Sequence, residues 1–483
     1  MDTKDIARAN KIGWMILGGV AVGVVVLGLL ASSILERRAE RNIAVVQMIK
    51  PVKEWEADNA KWGINFPREF NSWELTKTME ANTKYGGSGI RDYLAADPRL
   101  VVMWAGYPFA KEYNQARGHY HSLEDVNKTK RINEKTPGTC WTCKSPDVPR
   151  LMSQMGPGEF YAHKFSELKK EVNNPIGCVD CHDPSTMALR ISRPALIEAF
   201  RRMGKDVNKS SHQEMRTLVC AQCHVEYYFK DKKTNYLIFP WDKGLKADDF
   251  EKYYEQHPHE DWVHAISGAK MLKMQHPDYE VFQQGIHAFR GVACADCHMP
   301  YKSEGGIKFT DHQVQSPLYN IANSCQVCHR WSEDDVRTRV TGIQDKNREM
   351  LNRAEDAIIA LHLEIGEAMK RGASDAELEP SRKKVSVAQM YWDYVAANNG
   401  MGFHAPQECA RVLAKSIDIA QQGRLLVAQV RARRGQIDSV KLPDISSKLK
   451  AQAFIKPYVD MQKSKEPHNN LKPADAYKKV SKN

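Results

Sequence analysis

The sequence predicts a mainly α-helical protein in which loops and short helices fill one region and long helices gather toward the C-terminus. Three observations predict it. Ten of the eleven cysteines fall into five Cys-x-x-Cys pairs. Residues 51–331 are rich in Trp, Tyr, Pro, Gly and Cys and hold few long amphipathic stretches. From Ser332 onward, apolar residues recur at helical spacing.

Taken in order, residues 1–12 carry Lys4, Arg8 and Lys11 and read as a short cytoplasmic segment. Residues 13–35 contain the uncharged apolar run Gly13 to Ala31, about long enough to cross a bilayer as a helix. A signal peptide and a retained anchor differ by one cleavage event. The run is longer than a usual signal core, and Ala31-Ser32-Ser33 followed by Glu36, Arg37 and Arg38 makes a poor cleavage site. A transmembrane signal-anchor is therefore expected, with a soluble exported form as the alternative; either exports everything after residue 35. Residues 36–50 read as a charged linker.

Residues 332–483 read as C-terminal helices and a tail belonging to the same domain as 51–331, the helices serving as packing or dimer-forming elements. Ser332-Glu-Asp-Asp335 marks a helix start, and the helical pattern continues to Lys370, before Gly372. Two more helices are expected near 380–397 and 406–434. The lysine-rich tail after Pro443 reads as a surface wrap.

The cysteine pairs carry the chemistry. They are Cys140/Cys143, Cys178/Cys181, Cys220/Cys223, Cys294/Cys297 and Cys325/Cys328. Histidine follows directly at His182, His224, His298 and His329. Cys-x-x-Cys-His is the attachment signature of c-type haem: two thiols add to the haem vinyl groups and the adjacent imidazole reaches the iron. Zinc ribbons would group the pairs two by two without requiring that histidine. A thioredoxin-like redox pair would occur once, and disulfides need no such repeat. Cys409, left over, reads as a buried thiol.

The fold class thus sharpens to a multihaem cytochrome c packed around five haems. With 483 residues the chain exceeds an ordinary single domain. Haems are themselves large apolar bodies, so 51–331 is expected to form one pentahaem catalytic region. The formal charge of +11 would otherwise suggest nucleic acid or an anionic surface as partner. Propionates from five haems would add up to roughly ten negative charges, partly offset by the irons, so no nucleic-acid partner is expected.

The fifth pair ends in Lys144 where the others have histidine. Either this site has lost its axial ligand or Lys144 itself binds the iron. Lysine ordinarily holds its proton to about pH 10.4, but burial and a strong Lewis acid both favour the neutral amine that coordinates. A haem so held, open on its other face, would be a place for chemistry, whereas haems closed by two histidines would carry electrons.

At these residues the chain resembles the cytochrome c nitrite reductases, the pentahaem ammonia-forming family of the periplasm. The resemblance runs from about residue 90 to about 410. Its most specific part is Cys140-Trp-Thr-Cys143-Lys144-Ser-Pro-Asp147. It continues through Arg117-Gly-His119, Cys223-His224-Val-Glu226-Tyr227-Tyr228-Phe229, Lys273-Met-Gln275-His276, Asp311-His312 and Phe403-His404-Ala405-Pro406. It implies that nitrite binds the open face of a Lys144-ligated haem, among Arg131, Tyr227 and His276. The family's arginine follows Thr-Leu; here it follows Thr129-Lys130, so Lys130 competes for the role. The resemblance also implies one calcium ion, held by the Glu226 and Gln275 side chains and the Tyr227 and Lys273 carbonyls, all oxygen donors suited to a hard cation. Distal ligands carry over as His119 for the Cys220/Cys223 haem, His312 for Cys178/Cys181, His287 for Cys325/Cys328 and His404 for Cys294/Cys297. His121 competes with His119.

Taking nitrite to ammonium adds six electrons and eight protons, so the site must attract an anion, protonate leaving oxygens and retain partly reduced nitrogen. Arg131 suits the anion, His276 proton supply and Tyr227 a hydrogen bond or hydrogen atom. The resemblance implies a homodimer on the periplasmic face of the bacterial inner membrane, fed by a membrane-bound tetrahaem quinol dehydrogenase, with hydroxylamine, nitric oxide and sulfite as further substrates. The alternatives are a non-catalytic electron-transfer cytochrome, with every iron closed, and a hydroxylamine-oxidising enzyme, for which five motifs are too few.

Overall fold

The structure is a computed structural model describing residues 3–43 and 48–464. It divides into two compact units, Met1–Ile49 and Lys50–Asn483. In the first, Thr3–Ile43 is one helix. Its Asn10–Ser33 stretch is long and apolar enough to cross a membrane by length and composition. That fits a signal peptide or an anchor.

The second unit is mainly α-helical. Its first part strings short helices between loops, with three two-stranded antiparallel hairpins, among them Tyr228–Phe229 with Leu237–Ile238 and Trp262–Val263 with Lys270–Met271. The long helices follow. Glu333–Lys370 opens with the Ser332 side chain accepting from Asp335 N–H, and three acids occupy its first turn, where the helix dipole favours negative charge. It stops one residue short of Gly372, which sits at φ +82°.

The next helix, Asp375–Ala396, begins five residues before the expected start near 380. Pro380, a residue that ordinarily interrupts a helix, lies inside. Ser374 and Glu377 form a capping box that nucleates the helix ahead of the proline. Pro406–Ala432 starts on a proline at the first turn, where its missing N–H costs nothing. The segment Lys448–Lys463, expected only as a surface wrap, is a helix whose Ala451, Ile455 and Tyr458 are buried; it packs on the Arg99–Met103 helix.

The three long helices pack on one another. Gly423 lets the 406–432 helix approach closely: a Cβ there would lie 2.5 Å from Leu361 Cδ2 and 2.9 Å from Lys384 Cβ. Gly423→Ala should therefore destabilise by about 1–3 kcal/mol through overpacking, although alanine is the better helix former. A thermal melt of the loaded protein checks this, and an unchanged or raised Tm would refute the tight crossing.

Aromatic side chains join the short-helix region to the long helices. Trp104, fully buried, lies 5.4 Å from Trp262 and 5.9 Å from Trp392, centroid to centroid. Burial of this kind contributes roughly 25 cal/mol per Å² of apolar surface. It makes a rigid wall behind the segment 273–278.

Candidate active site and haem-binding motifs

The Cys140–Lys144 motif is fixed from several sides. Trp141 stacks on Phe165 at 3.9 Å and donates its indole N–H to Phe165 O. Ser122 Oγ donates to Lys144 O at 2.8 Å. The buried Arg193 donates to Thr142 O at 2.7 Å and Ser145 O at 2.9 Å, flanking Lys144. Its guanidinium also pairs with Asp180 at 2.6 Å, inside Cys178-Val-Asp180-Cys181. One buried arginine thus ties the lysine motif to its neighbour. Sequence reasoning passed Arg193 over; the one available hint was an acid inside a cysteine motif.

The motif cysteines are half-buried, Cys328 exposed, whereas Cys409 is buried. Neighbouring motifs lie close: the Cys143 thiol is within electrostatic range of that of Cys223, and Cys220 of Cys294. Cys181 lies within electrostatic range of Cys223, and Cys297 of Cys325 and Cys328. The Cys220/Cys223 motif is therefore a junction, next to the lysine motif, Cys178/Cys181 and Cys294/Cys297.

Each motif histidine faces one of the histidines named above. Ring centroids are 6.2 Å apart for His182 and His312, 6.3 Å for His287 and His329, and 6.3 Å for His298 and His404. Two imidazoles on one iron, each at a metal–nitrogen distance of roughly 2 Å, have ring centres roughly 6 Å apart, so the spacing fits a haem iron between them. His119 lies within electrostatic range of His224; burial, then the charges of His224 and Lys144, pushes it down to about 4. His121 engages both ring nitrogens, Nδ1 with Glu124 at 3.0 Å and Nε2 with Lys77 O at 2.9 Å. It has no nitrogen to offer a metal. Close backbone approach sets two of these ligands: a Cβ on Gly285 would stand 1.9 Å from His404 O, two residues before His287.

Around the lysine motif, Tyr227 lies within electrostatic range of Cys143, Cys140 and Arg131. Burial, then those thiols, pushes its phenol well up, so it keeps its proton. Arg131 is half-buried, its guanidinium 4.3 Å above the Phe109 ring and its Nε donating to Thr129 Oγ1. Lys130 is exposed. His276 lies within electrostatic range of Lys144. Burial first, then the Lys144 charge, pushes it down to about 3, which leaves a neutral imidazole at pH 7 that can donate a hydrogen bond.

Beneath Tyr227, Glu226 is wholly buried and accepts Gln275 N–H at 2.5 Å. Burial pushes its carboxyl well up, and Glu280 and Asp261 add to the shift. Glu280 Oε1 accepts from Glu226 N–H and Trp241 Nε1, both at 2.8 Å, while its Oε2 is buried without a partner. Gln275 Nε2 donates to Lys273 O at 3.1 Å. A cation beside these buried carboxyls would favour their charged forms. Among the described residues no three His, Cys, Asp or Glu converge on one point. A cation here would therefore draw on amide and carbonyl oxygens, as calcium does.

Lys273 is itself buried. Its ammonium pairs with both oxygens of the buried Asp393 at 2.9 Å, and Met274 N–H donates to Asp393 at 2.7 Å. Asp261 accepts Lys273 N–H at 2.7 Å. The strand-like segment carrying Gln275 and His276 is thereby clamped to the Asp375–Ala396 helix, contacts that no short motif reveals.

The family model described as cytochrome c552 matches residues 58–483. A cytochrome c-552 of Parabacteroides distasonis is 50% identical over 451 residues, covering 92% of this chain and 91% of that one. One from Porphyromonas gingivalis is 48% identical over 463 residues, covering 94% and 93%. Among solved structures, the catalytic subunit of cytochrome c nitrite reductase from Desulfovibrio desulfuricans, described with two calcium sites, superposes with a TM-score of 0.77. It is 35% identical, covering 82% of this chain and 92% of that one.

Proposed function

The chain belongs to the cytochrome c552 family, and from that premise we propose that it is an ammonia-forming cytochrome c nitrite reductase acting at a haem held by Lys144. The observation that carries this reading is the convergence of Arg131, Tyr227 and His276 on the one haem motif that has lysine in place of histidine. A closed electron conduit would need no such set.

The haems, when bound, supply the iron at which nitrite is reduced and the path by which electrons arrive. The chain's own residues do the rest. Lys144 would hold the iron of this haem, its main chain fixed by Ser122 and flanked by the two Arg193 bonds. The Arg131 guanidinium draws the anion and polarises it. Tyr227 keeps its phenolic proton and offers it to an oxygen of the substrate. His276 offers an N–H from a neutral ring, so substrate oxygens receive hydrogen bonds from both sides. Protons beyond these come from solvent through relay.

The facing pairs His119/His224, His182/His312, His298/His404 and His287/His329 support four closed haems that serve as the wire, with five haems in all. One calcium ion at Glu226, Gln275 and the carbonyls of Tyr227 and Lys273 would hold the Tyr227 backbone in place. For the remaining organisation we propose residues 1–12 as a cytoplasmic segment, 13–35 as a signal-anchor at the periplasmic face of the inner membrane, and 36–50 as a linker. The pentahaem region 51–331 and the helices and tail of 332–483 form one domain that dimerises through those helices. The electron donor is a membrane-bound tetrahaem quinol dehydrogenase.

Titrating the oxidised, fully loaded protein with nitrite tests the reading. The spectrum of one haem in five should change, saturating at one nitrite per chain. No change at any haem would establish the closed conduit instead.

A further inference from the structure

The histidines that follow the cysteine pairs do not share one hydrogen-bonding arrangement. His182 Nδ1 meets a peptide carbonyl, Met187 O, at 2.9 Å. His298 Nδ1 meets Gln315 O at 2.8 Å. His329 stacks on Trp331 at 5.0 Å. His224 differs: its Nδ1 meets a carboxylate, Asp278 Oδ2, at 3.2 Å.

Asp278 is buried and built into place. Its Oδ1 accepts from Asn398 Nδ2 at 2.8 Å and from Asn399 N–H at 2.7 Å, and its Oδ2 accepts from Asn399 Nδ2 at 2.6 Å. It lies two residues beyond His276, whose carbonyl accepts Asp278 N–H at 2.6 Å. One short segment therefore carries both a candidate active-site imidazole and the acceptor for the histidine of the junction motif, Cys220/Cys223.

The hydrogen-bond acceptor on the far nitrogen of a metal-bound imidazole sets how strongly that ring donates to the metal. An anionic acceptor makes the ring more imidazolate-like, which favours ferric over ferrous iron; a peptide carbonyl does so less. We propose that Asp278 holds down the reduction potential of the haem at Cys220/Cys223, making the junction haem a stronger reductant toward the neighbouring Lys144 site than it would be with a neutral acceptor. Asp278 acts through His224, as a positioning residue. The inference rests on the proposed function only in taking His224 as an iron ligand.

The test is a potentiometric titration of the loaded full chain, followed in the visible bands and in the near-infrared charge-transfer band of the low-spin ferric haems, for the parent and for Asp278→Asn, Asp278→Glu and Asn399→Ala. Asp278→Asn replaces the anion with a neutral amide. One haem in five should then show roughly a tenfold rise in its ferrous-to-ferric ratio at fixed potential, equivalent to 59 mV for one electron. Its near-infrared band should move while the other haems keep theirs. Asp278→Glu keeps the anion and should stay near the parent. Asn399→Ala removes a donor from the oxygen that faces His224, so the same haem should shift the opposite way, which decides the matter if Asp278→Asn fails to load five haems. Unmoved potentials in loaded variants, or equal shifts in Asp278→Asn and Asp278→Glu, would overturn the inference alone. A parent whose 212–229 peptide carries no haem would overturn the site reading and the inference with it.

Discussion

Arg131→Ala lowers nitrite turnover by about 10²–10³-fold, the usual loss when a preorganised donor to developing negative charge is removed. Haem content and the low-spin spectrum stay as in the parent. The Arg131 guanidinium is half-buried, stands over Phe109 and lies within electrostatic range of Tyr227 and the lysine-motif thiol of Cys140. In such surroundings a cation is screened less than in bulk water. Lys130, next to it and exposed, serves as the control. Lys130→Ala should cost far less, and if the two losses were reversed, the anion would be held by the lysine. Steady-state kinetics on both variants decides between them.

The second large effect is structural. Asp393→Ala removes the partner of the buried Lys273 ammonium and the acceptor of Met274 N–H. Breaking a buried pair from one side leaves an uncompensated charge and costs about 3–5 kcal/mol. Because that pair clamps the segment bearing Gln275 and His276, turnover should fall along with the melting temperature. The double replacement Lys273→Met with Asp393→Leu should recover most of the stability, since an apolar pair of similar volume is often neutral or better. It should not recover full turnover, because Met274 N–H still lacks its acceptor. Calorimetry of the loaded proteins, set beside activity, separates these outcomes. A single variant as stable as the parent would show that the clamp is not needed.

What the sequence discloses depends on how far apart the interacting groups lie. The mainly α-helical fold and the start of the 333–370 helix were readable because Ser332 and its acids are adjacent to the turn they cap. The start at Asp375 was not, because the Ser374–Glu377 box lies ahead of Pro380, a residue that ordinarily interrupts a helix. The haem motifs announce themselves within five residues. Their facing histidines lie far along the chain, and only the family resemblance paired them. Arg193 left one hint, its partner Asp180 inside a cysteine motif, and Asp278 left none. Ser145, whose carbonyl Arg193 holds, and His224, which Asp278 meets, lie 48 and 54 positions away, and neither residue stands in a pattern that chemistry requires locally.

Electrons delivered to this chain reduce nitrite to ammonium. The most direct measurement is anaerobic: the loaded protein, a reduced viologen dye and nitrite, with ammonium formed counted against dye oxidised. Six electrons per ammonium is the expected result. Dye left unoxidised by a preparation verified to hold its haems, or oxidised without ammonium appearing, would contradict the account.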